Sequence, residues 1–363
     1  MVEILKVALV HEWLVSWGGS ESVLSSLARL FPDAPILTAV YKPDERIEST
    51  FAGREIRPSA LQALPGIRNH YRNTLPLMPW AFNRMDLSGF DLVVSSSHAF
   101  AKSIRVDPGA IHICYCHTPP RYLWDLYETY NSGFLGGARK PLMKYLRRID
   151  ARAATRVHSF VANSYYVADR IARSYNRQSS VIYPPVDVHQ FNLEEGDKTH
   201  YLAGGRMVQY KKLDRAIEAA NRQGFPLVVF GNGPERDRLA RISGPSVKLI
   251  GSVSQAQLAE LIRHSRAFLF PGIEDFGILP VEAQAGGLPV IALGKGGALE
   301  TVRPDETGLL YEDDSVEGLV DAVVRFENKT FDPETCRKNA LRFSRERFEE
   351  EIAEAVSGVF PRK

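Results

Sequence analysis

Residues Phe268 to Pro289, FLFPGIEDFGILPVEAQAGGLP, decide the fold. The apolar run Ala267-Phe268-Leu269-Phe270 that opens this stretch is short and bulky, as in a strand buried on both faces of a parallel sheet. Pro271-Gly272 stops the strand. Pro280 predicts the start of a helix, because its fixed φ suits a first turn and its missing N–H would be unpaired there. Glu282 would then lie in that first turn. Gly286-Gly287 and Pro289 end the helix, glycine by accepting positive φ and proline by blocking continuation. The free N–H groups near Gly277, Ile278 and Leu279 can hold an anion such as a phosphate.

Two carboxylates, Glu274 and Glu282, flank this anion site, which makes sense if they accept hydrogen bonds from hydroxyls of the same ligand. A nucleotide sugar has both features. The segment E-D-F-G-I-L-P-V-E resembles the E-x7-E motif of retaining glycosyltransferase family four, whose members have the GT-B fold. That resemblance implies an α/β protein with two Rossmann-like parallel-sheet lobes facing a cleft and a C-terminal helix crossing back to the first lobe. It also implies that Glu274 contacts the donor sugar, that Glu282 contacts the ribose, and that Phe276, Gly277, Ile278 and Leu279 border the donor.

Composition is consistent with this reading. At 363 residues the chain suits two domains, and 44% hydrophobic with 24% charged residues is ordinary for a soluble globular protein. A formal net charge of +2 gives no whole-protein nucleic-acid footprint. The three cysteines, Cys114, Cys116 and Cys336, form no CxxC pair, which argues against structural zinc or a disulfide framework. No run approaches the roughly 18 apolar residues of a membrane span, and the N-terminus lacks a signal-peptide pattern. The expectation is a cytoplasmic protein, peripheral at the inner membrane face.

From the start of the chain, Leu5 to Val10 reads as a buried strand with His11-Glu12-Trp13 at its carboxyl end. Trp17-Gly18-Gly19-Ser20-Glu21 follows, with Ser20 as the expected N-cap of a helix Glu21 to Leu30. Gly18 and Gly19 resemble the G-G-x-E loop that in this family lies over the donor diphosphate. Pro43 to Arg84 is irregular and carries His70, Tyr71, Arg72, Trp80 and Phe82, which fits either acceptor-side loops or a solvated surface. Asp91 to Ser95 and Ile111 to Cys116 read as further strands, with Cys114 and Cys116 on one face as small core residues.

The second of these strands delivers H-T-P-P-R-Y-L-W-D, His117 to Asp125, at its carboxyl end, where open α/β sheets bind ligands. His117 resembles the strand-end histidine of the family that contacts the donor sugar, and the segment is similar to bacterial polysaccharide and O-antigen mannosyltransferases. Arg139 to Arg156 carries seven basic residues and one acid among Leu142, Met143, Tyr145, Leu146 and Ile149. It fits a helix on an anionic membrane surface or one packing on its own sheet. The linker around Pro184-Pro185 divides lobes at 1–185 and 186–345, with 346–363 as the returning helix.

In the second lobe, strands and helices alternate again. Within G-R-M-V-Q-Y-K-K, Arg206 and Lys211 resemble the family's basic pair on the two phosphates, and Lys212 stands where many members have glycine. Gly231 and Val253, at strand ends, could border the base. No D-x-D motif is present, so a metal-independent reaction without a cofactor is expected. No carboxylate pair is placed as in retaining glycosidases. The resemblance implies front-face transfer, with Glu274 and His117 positioning the hexose. GDP-mannose is the expected donor and a polyprenyl-diphosphate-linked glycan the expected acceptor. UDP-sugar transfer, or nucleotide-sugar binding without turnover, are the alternatives. A dinucleotide oxidoreductase would need G-x-G-x-x-G after a strand, and Gly231-Asn232-Gly233 lacks the third glycine.

Overall fold

A computed structural model describes residues 5–125, 134–194 and 196–359. The chain divides into two compact units, Met1–Pro185 together with Phe348–Lys363, and Val186–Arg347.

The first unit is built on strands β1 (Val7–His11), β2 (Ile36–Thr38), β3 (Ile56–Pro58), β4 (Leu92–Ser97), β5 (Ile111–Cys116), β6 (Ser159–Ala162) and β7 (Ser179–Val181). They pair in the order β3-β2-β1-β4-β5-β6-β7, every pairing parallel. Because strand side chains alternate, Leu9, Val94, Ile113 and Val161 pack on one face with Val23, Leu24, Leu27, Phe348 and Ile352. Val10 and Val93 turn to the other face, with Phe82, Phe100, Leu123 and Leu146. Both faces are covered, which is why these strands read as unbroken apolar runs. Cys114 and Cys116 are buried beside Phe160 and Tyr175, as small core residues.

The second unit contains β8 (His200–Gly204), β9 (Leu227–Phe230), β10 (Val247–Leu249), β11 (Ser265–Phe270), β12 (Val290–Leu293) and β13 (Gly308–Tyr311). Their order is β10-β9-β8-β11-β12-β13, again all parallel. Ala203, Leu269, Ile291 and Leu309 form its core with Ala216, Ile217, Leu319 and Ala322.

Several local expectations change. The helix after β11 runs Ile278–Ala285, with Gly277 as its N-cap at φ +93°, so Pro280 is inside the first turn and Glu282 lies one turn further on. Local hydrogen bonding alone did not reveal that Gly277 can make the sharp entry two residues earlier. The helix Gly19–Leu30 likewise starts before Ser20, and its N-cap is Gly18 without a side-chain bond. Ser20 instead donates its hydroxyl to Glu21 Oε2 at 3.0 Å. Segment 43–84 is not irregular throughout: it folds as short helical turns around edge strand β3.

The basic stretch is the helix Phe134–Ala154. Leu146, Ala153 and Ala154 are buried in their own unit, whereas Leu142 and Tyr145 are 41% and 60% exposed beside Lys144, Arg148 and Arg152. The final helix, Arg345–Val359, places Phe348, Ile352 and Val356 in the first unit's core. Among the described residues, no helix is long and apolar enough to cross a membrane.

Candidate functional site

In a doubly wound sheet, ligands settle outside the carboxyl ends of the strands, where the strand order reverses. In the first unit that point lies between β1 and β4, and in the second between β8 and β11.

At the first switch point a chain of polar side chains runs through buried space. Glu21 Oε1 lies 3.2 Å from His11 Nε2, His11 Nδ1 lies 3.1 Å from Ser96 Oγ, and Ser96 Oγ lies 2.8 Å from His117 Nε2. His11, Ser96 and Glu21 are buried. The His117 ring is further fixed edge-on against Tyr115 and His98, with centroids at 5.2 and 6.3 Å. Burial, with His98 and His11 as neighbouring imidazoles, pushes His117 well below its ordinary value, so the ring is neutral. Burial pushes the Glu21 carboxyl up, but the His11 hydrogen bond and charge outweigh it and hold the group below the usual range.

Beside this chain, Glu12 is fully buried and accepts five hydrogen bonds. They come from the Ser97 hydroxyl and the backbone N–H groups of His98, Ala99, Phe100 and Ala101, at 2.7 to 3.1 Å. The β4 exit loop is thereby wrapped around one carboxylate. Lys102, from the same loop, is buried against Asp150 at 2.5 Å. Asp150 also accepts from Trp124 Nε1 and the Tyr175 hydroxyl, each at 2.8 Å. Trp124 closes H-T-P-P-R-Y-L-W, so this second carboxylate pins the loop that begins at His117.

The second switch point is built mostly from backbone. Gly231, at φ +119°, passes so close to β8 that a Cβ there would sit 1.9 Å from the Gly205 carbonyl oxygen. Gly297 donates its N–H to the Glu274 carbonyl at 2.9 Å, and a Cβ on it would meet Phe276 O at 2.2 Å. The Glu274 loop therefore rests on a glycine floor. From it, Glu274 Oε1 receives Lys211 Nζ at 2.5 Å. Arg206 is exposed and forms no ion pair among the described residues.

Among the described residues no side chain caps the helix Ile278–Ala285, so its first-turn N–H groups, near Gly277, Ile278 and Leu279, can face an anion. Glu282 is buried and receives Gln255 Nε2 at 3.3 Å. The Phe276 ring is buried against Phe343, at a centroid distance of 5.3 Å. Val253 is half-buried on the coil before the helix Gln255–Arg263, and Gly251 on that coil accepts the Gly231 N–H at 2.9 Å. Lys212 is set apart: its backbone is left-handed at φ +49°, a conformation glycine adopts without strain, and its side chain pairs with Asp314. Lys211 is thus the lysine beside Glu274.

The model described as Glycosyltransferase Family 4 matches residues 17–190, and that for Glycosyl transferases group 1 matches 187–343. The chain belongs to the GT-B glycosyltransferases of family four. Among relatives of this family, it is 29% identical over 210 residues to the GDP-mannose-dependent alpha-(1-6)-phosphatidylinositol monomannoside mannosyltransferase of Mycobacterium tuberculosis, covering 49% of this chain and 54% of that one. It is 35% identical over 121 residues to the GDP-mannose-dependent alpha-mannosyltransferase of Mycolicibacterium smegmatis, covering 33% of this chain and 32% of that one. The chain thus spans about half the length of the first relative and about a third of the second.

GT-B architecture extends over nearly the whole chain. HepE of Anabaena, solved with UDP and glucose, aligns over 98% of this chain and 100% of its own, with a TM-score of 0.73 and 16% identity. Sucrose-phosphate synthase of Thermosynechococcus elongatus aligns over 98% and 99%, with a TM-score of 0.72 and 17% identity.

Within this glycosyltransferase fold, Gly18 and Gly19 open the helix that carries Glu21, and Arg206, Lys211, Gly231 and Glu274 collect around the ends of β8, β9 and β11. The sequence reading did not pick out His11, Ser96 or Glu12 as site residues. Glu12 carried one signal, a carboxylate immediately after a wholly apolar strand. Ser96 carried none, since a serine closing a strand is common.

Proposed function

We propose that this chain is a retaining glycosyltransferase that moves mannose from GDP-mannose to a hydroxyl of a polyprenyl-diphosphate-linked oligosaccharide in surface-polysaccharide synthesis. The observation that carries the reading is the Lys211–Glu274 pair beside the helix 278–285, which has no side-chain cap, and the exposed Arg206. Cations and N–H groups there suit a diphosphate, and a carboxylate adjoining them suits sugar hydroxyls. GDP-mannose dependence of the relatives supports the donor.

In the reaction, the bond from the sugar's anomeric carbon to the phosphate oxygen breaks and its electron pair leaves with the nucleoside diphosphate. Arg206, Lys211 and the helix N-terminus stabilise that charge as it develops. The acceptor oxygen bonds the anomeric carbon on the same face, and its proton passes to the departing phosphate. Glu274 and His117 orient the hexose and Glu282 the ribose, a proximity role. Gly231 and Val253 border the base. The exposed cations of the helix 134–154, with Leu142 and Tyr145, suit a peripheral contact with anionic lipid at the inner membrane face, where such an acceptor resides.

A second donor reading has its own support, because HepE was solved with UDP and glucose. Calorimetry with GDP, UDP and ADP separates the two. Tight GDP binding is expected, and tight UDP binding without GDP binding overturns the choice. Transfer of labelled mannose to a lipid-linked acceptor then distinguishes turnover from mere binding.

A further inference from the structure

Polar groups at the strand ends of the first unit form one continuous chain, Glu21···His11···Ser96···His117, of which only His117 has been given a role. Its members come from different elements: Glu21 from the helix after the G-G loop, His11 from the end of β1, Ser96 from the end of β4, and His117 from the exit of β5. An ionised carboxylate can only accept a hydrogen bond, so His11 must place its Nε2–H toward Glu21. When that is the ring's one proton, Nδ1 is left as an acceptor. Ser96 then donates its hydroxyl proton to His11 Nδ1, and its oxygen accepts from His117 Nε2–H. Each donor meets one acceptor, and the direction is set from the carboxylate end.

We infer that Glu21, through His11 and Ser96, fixes His117 as the Nε2–H tautomer and leaves its Nδ1 lone pair as a permanent acceptor for a hydroxyl of the donor sugar. Glu21, His11 and Ser96 are positioning residues, acting through His117 alone. A histidine left to choose would populate both tautomers, and in one of them Nδ1–H would face the hydroxyl hydrogen as a donor. A buried orienting partner that selects the tautomer removes that misaligned fraction. The role of Glu21 also gives the G-G-x-E loop a second purpose: its glycines lie at the start of a helix whose first acidic residue turns inward to His11.

This inference rests on the reading of His117 as a sugar contact, but the tautomer is measurable without donor. The experiment uses the full-length protein with 15N-labelled histidine, the His117 signal being assigned by its loss in His117→Gln. Two-bond 1H–15N spectra distinguish a ring protonated at Nε2 from one protonated at Nδ1. The expected result is Nε2–H in the unaltered protein, a mixture of both forms in Ser96→Ala and Glu21→Gln, and recovery of Nε2–H in Ser96→Thr. Far-UV spectra and unfolding midpoints identify any variant that fails to fold, and Glu21→Gln serves if Ser96→Ala is lost. Turnover should fall about tenfold to a hundredfold in Ser96→Ala, chiefly in kcat, and return in Ser96→Thr. A His117 protonated at Nδ1, or a tautomer unmoved by both Ser96→Ala and Glu21→Gln, overturns the inference. Tautomers that behave as expected alongside wild-type transfer by His117→Gln uphold the hydrogen-bond chain and refute the sugar contact.

Discussion

Polar groups at the strand ends of the first unit are buried and satisfied by one another. Glu12 is wrapped by five donors, Lys102 meets Asp150, and Glu21, His11, Ser96 and His117 form a file. At the corresponding strand ends of the second unit, the charges are partly open to water and the backbone is shaped by glycine: Arg206 is exposed, Lys211 and Glu274 retain 11% and 18% exposure, and Gly231 crosses against Gly205. On the proposed function, the contrast follows from what each is asked to hold. A fixed imidazole needs orientation, which a closed hydrogen-bond network supplies at a desolvation cost already met in folding. An incoming diphosphate would need cations and N–H groups that stay accessible until it arrives.

Removing one partner of the closed network should have the largest effect. Lys102→Met leaves Asp150 buried without a counter-charge and should cost about 3 to 5 kcal/mol in urea unfolding of the whole chain. Lys102 is pushed up from its usual value: burial lowers it, but Asp150 more than compensates. Its contribution is therefore complete below about 10.5 and is lost as pH rises through the folded value. An unfolding midpoint shifted by less than half the expected amount would mean the pair is solvated.

In the open site the expected losses are kinetic. Arg206→Ala, Lys211→Ala and Glu274→Ala should each lower turnover roughly 30- to 1000-fold while leaving unfolding almost unchanged. Treatment with EDTA should change the rate little, since the diphosphate charge is assigned to side chains and backbone. Wild-type rates in the two cation variants, or abolition by EDTA, would place phosphate stabilisation elsewhere.

Glu12→Gln probes the first network more gently, at about 2 kcal/mol, because an amide presents one donor group to a nest of donors. Burial raises the Glu12 carboxyl, but His98, the backbone N–H groups and Lys102 prevail and hold it below its usual 4.5. Stability from this group is present above that value and fades as pH falls through the lower folded value. Unfolding midpoints between pH 7 and pH 3 should therefore converge for the variant and the unaltered chain. Parallel curves would separate Glu12 from acid unfolding.

The smallest effect per residue belongs to the exposed helix face. Lys144, Arg148 and Arg152 replaced by Glu should weaken co-sedimentation with anionic liposomes by about 1 kcal/mol each, with the same loss at high salt. Arg147 is best left intact, since it stacks on Trp124 at 4.3 Å. Binding indifferent to salt and to these replacements removes the membrane surface from the proposal and leaves the transferase reading intact.

Alternation of apolar runs with helical segments was enough to indicate two parallel sheets, because a strand covered on both faces must be apolar along its length. Glycine and proline marked where the stretch 268–289 turns, and motifs at strand ends made Glu274, Lys211, Arg206 and His117 candidates. The short edge strand β3 and the early helix start at Gly277 were not, since both depend on neighbours that local propensity does not name. Only the tertiary structure joined His11 to Ser96, 85 residues apart, and Lys211 to Glu274, 63 apart. The reason is strand order: β1 lies against β4 and β8 against β11 because a doubly wound sheet reverses there, and side-chain partners follow from that adjacency.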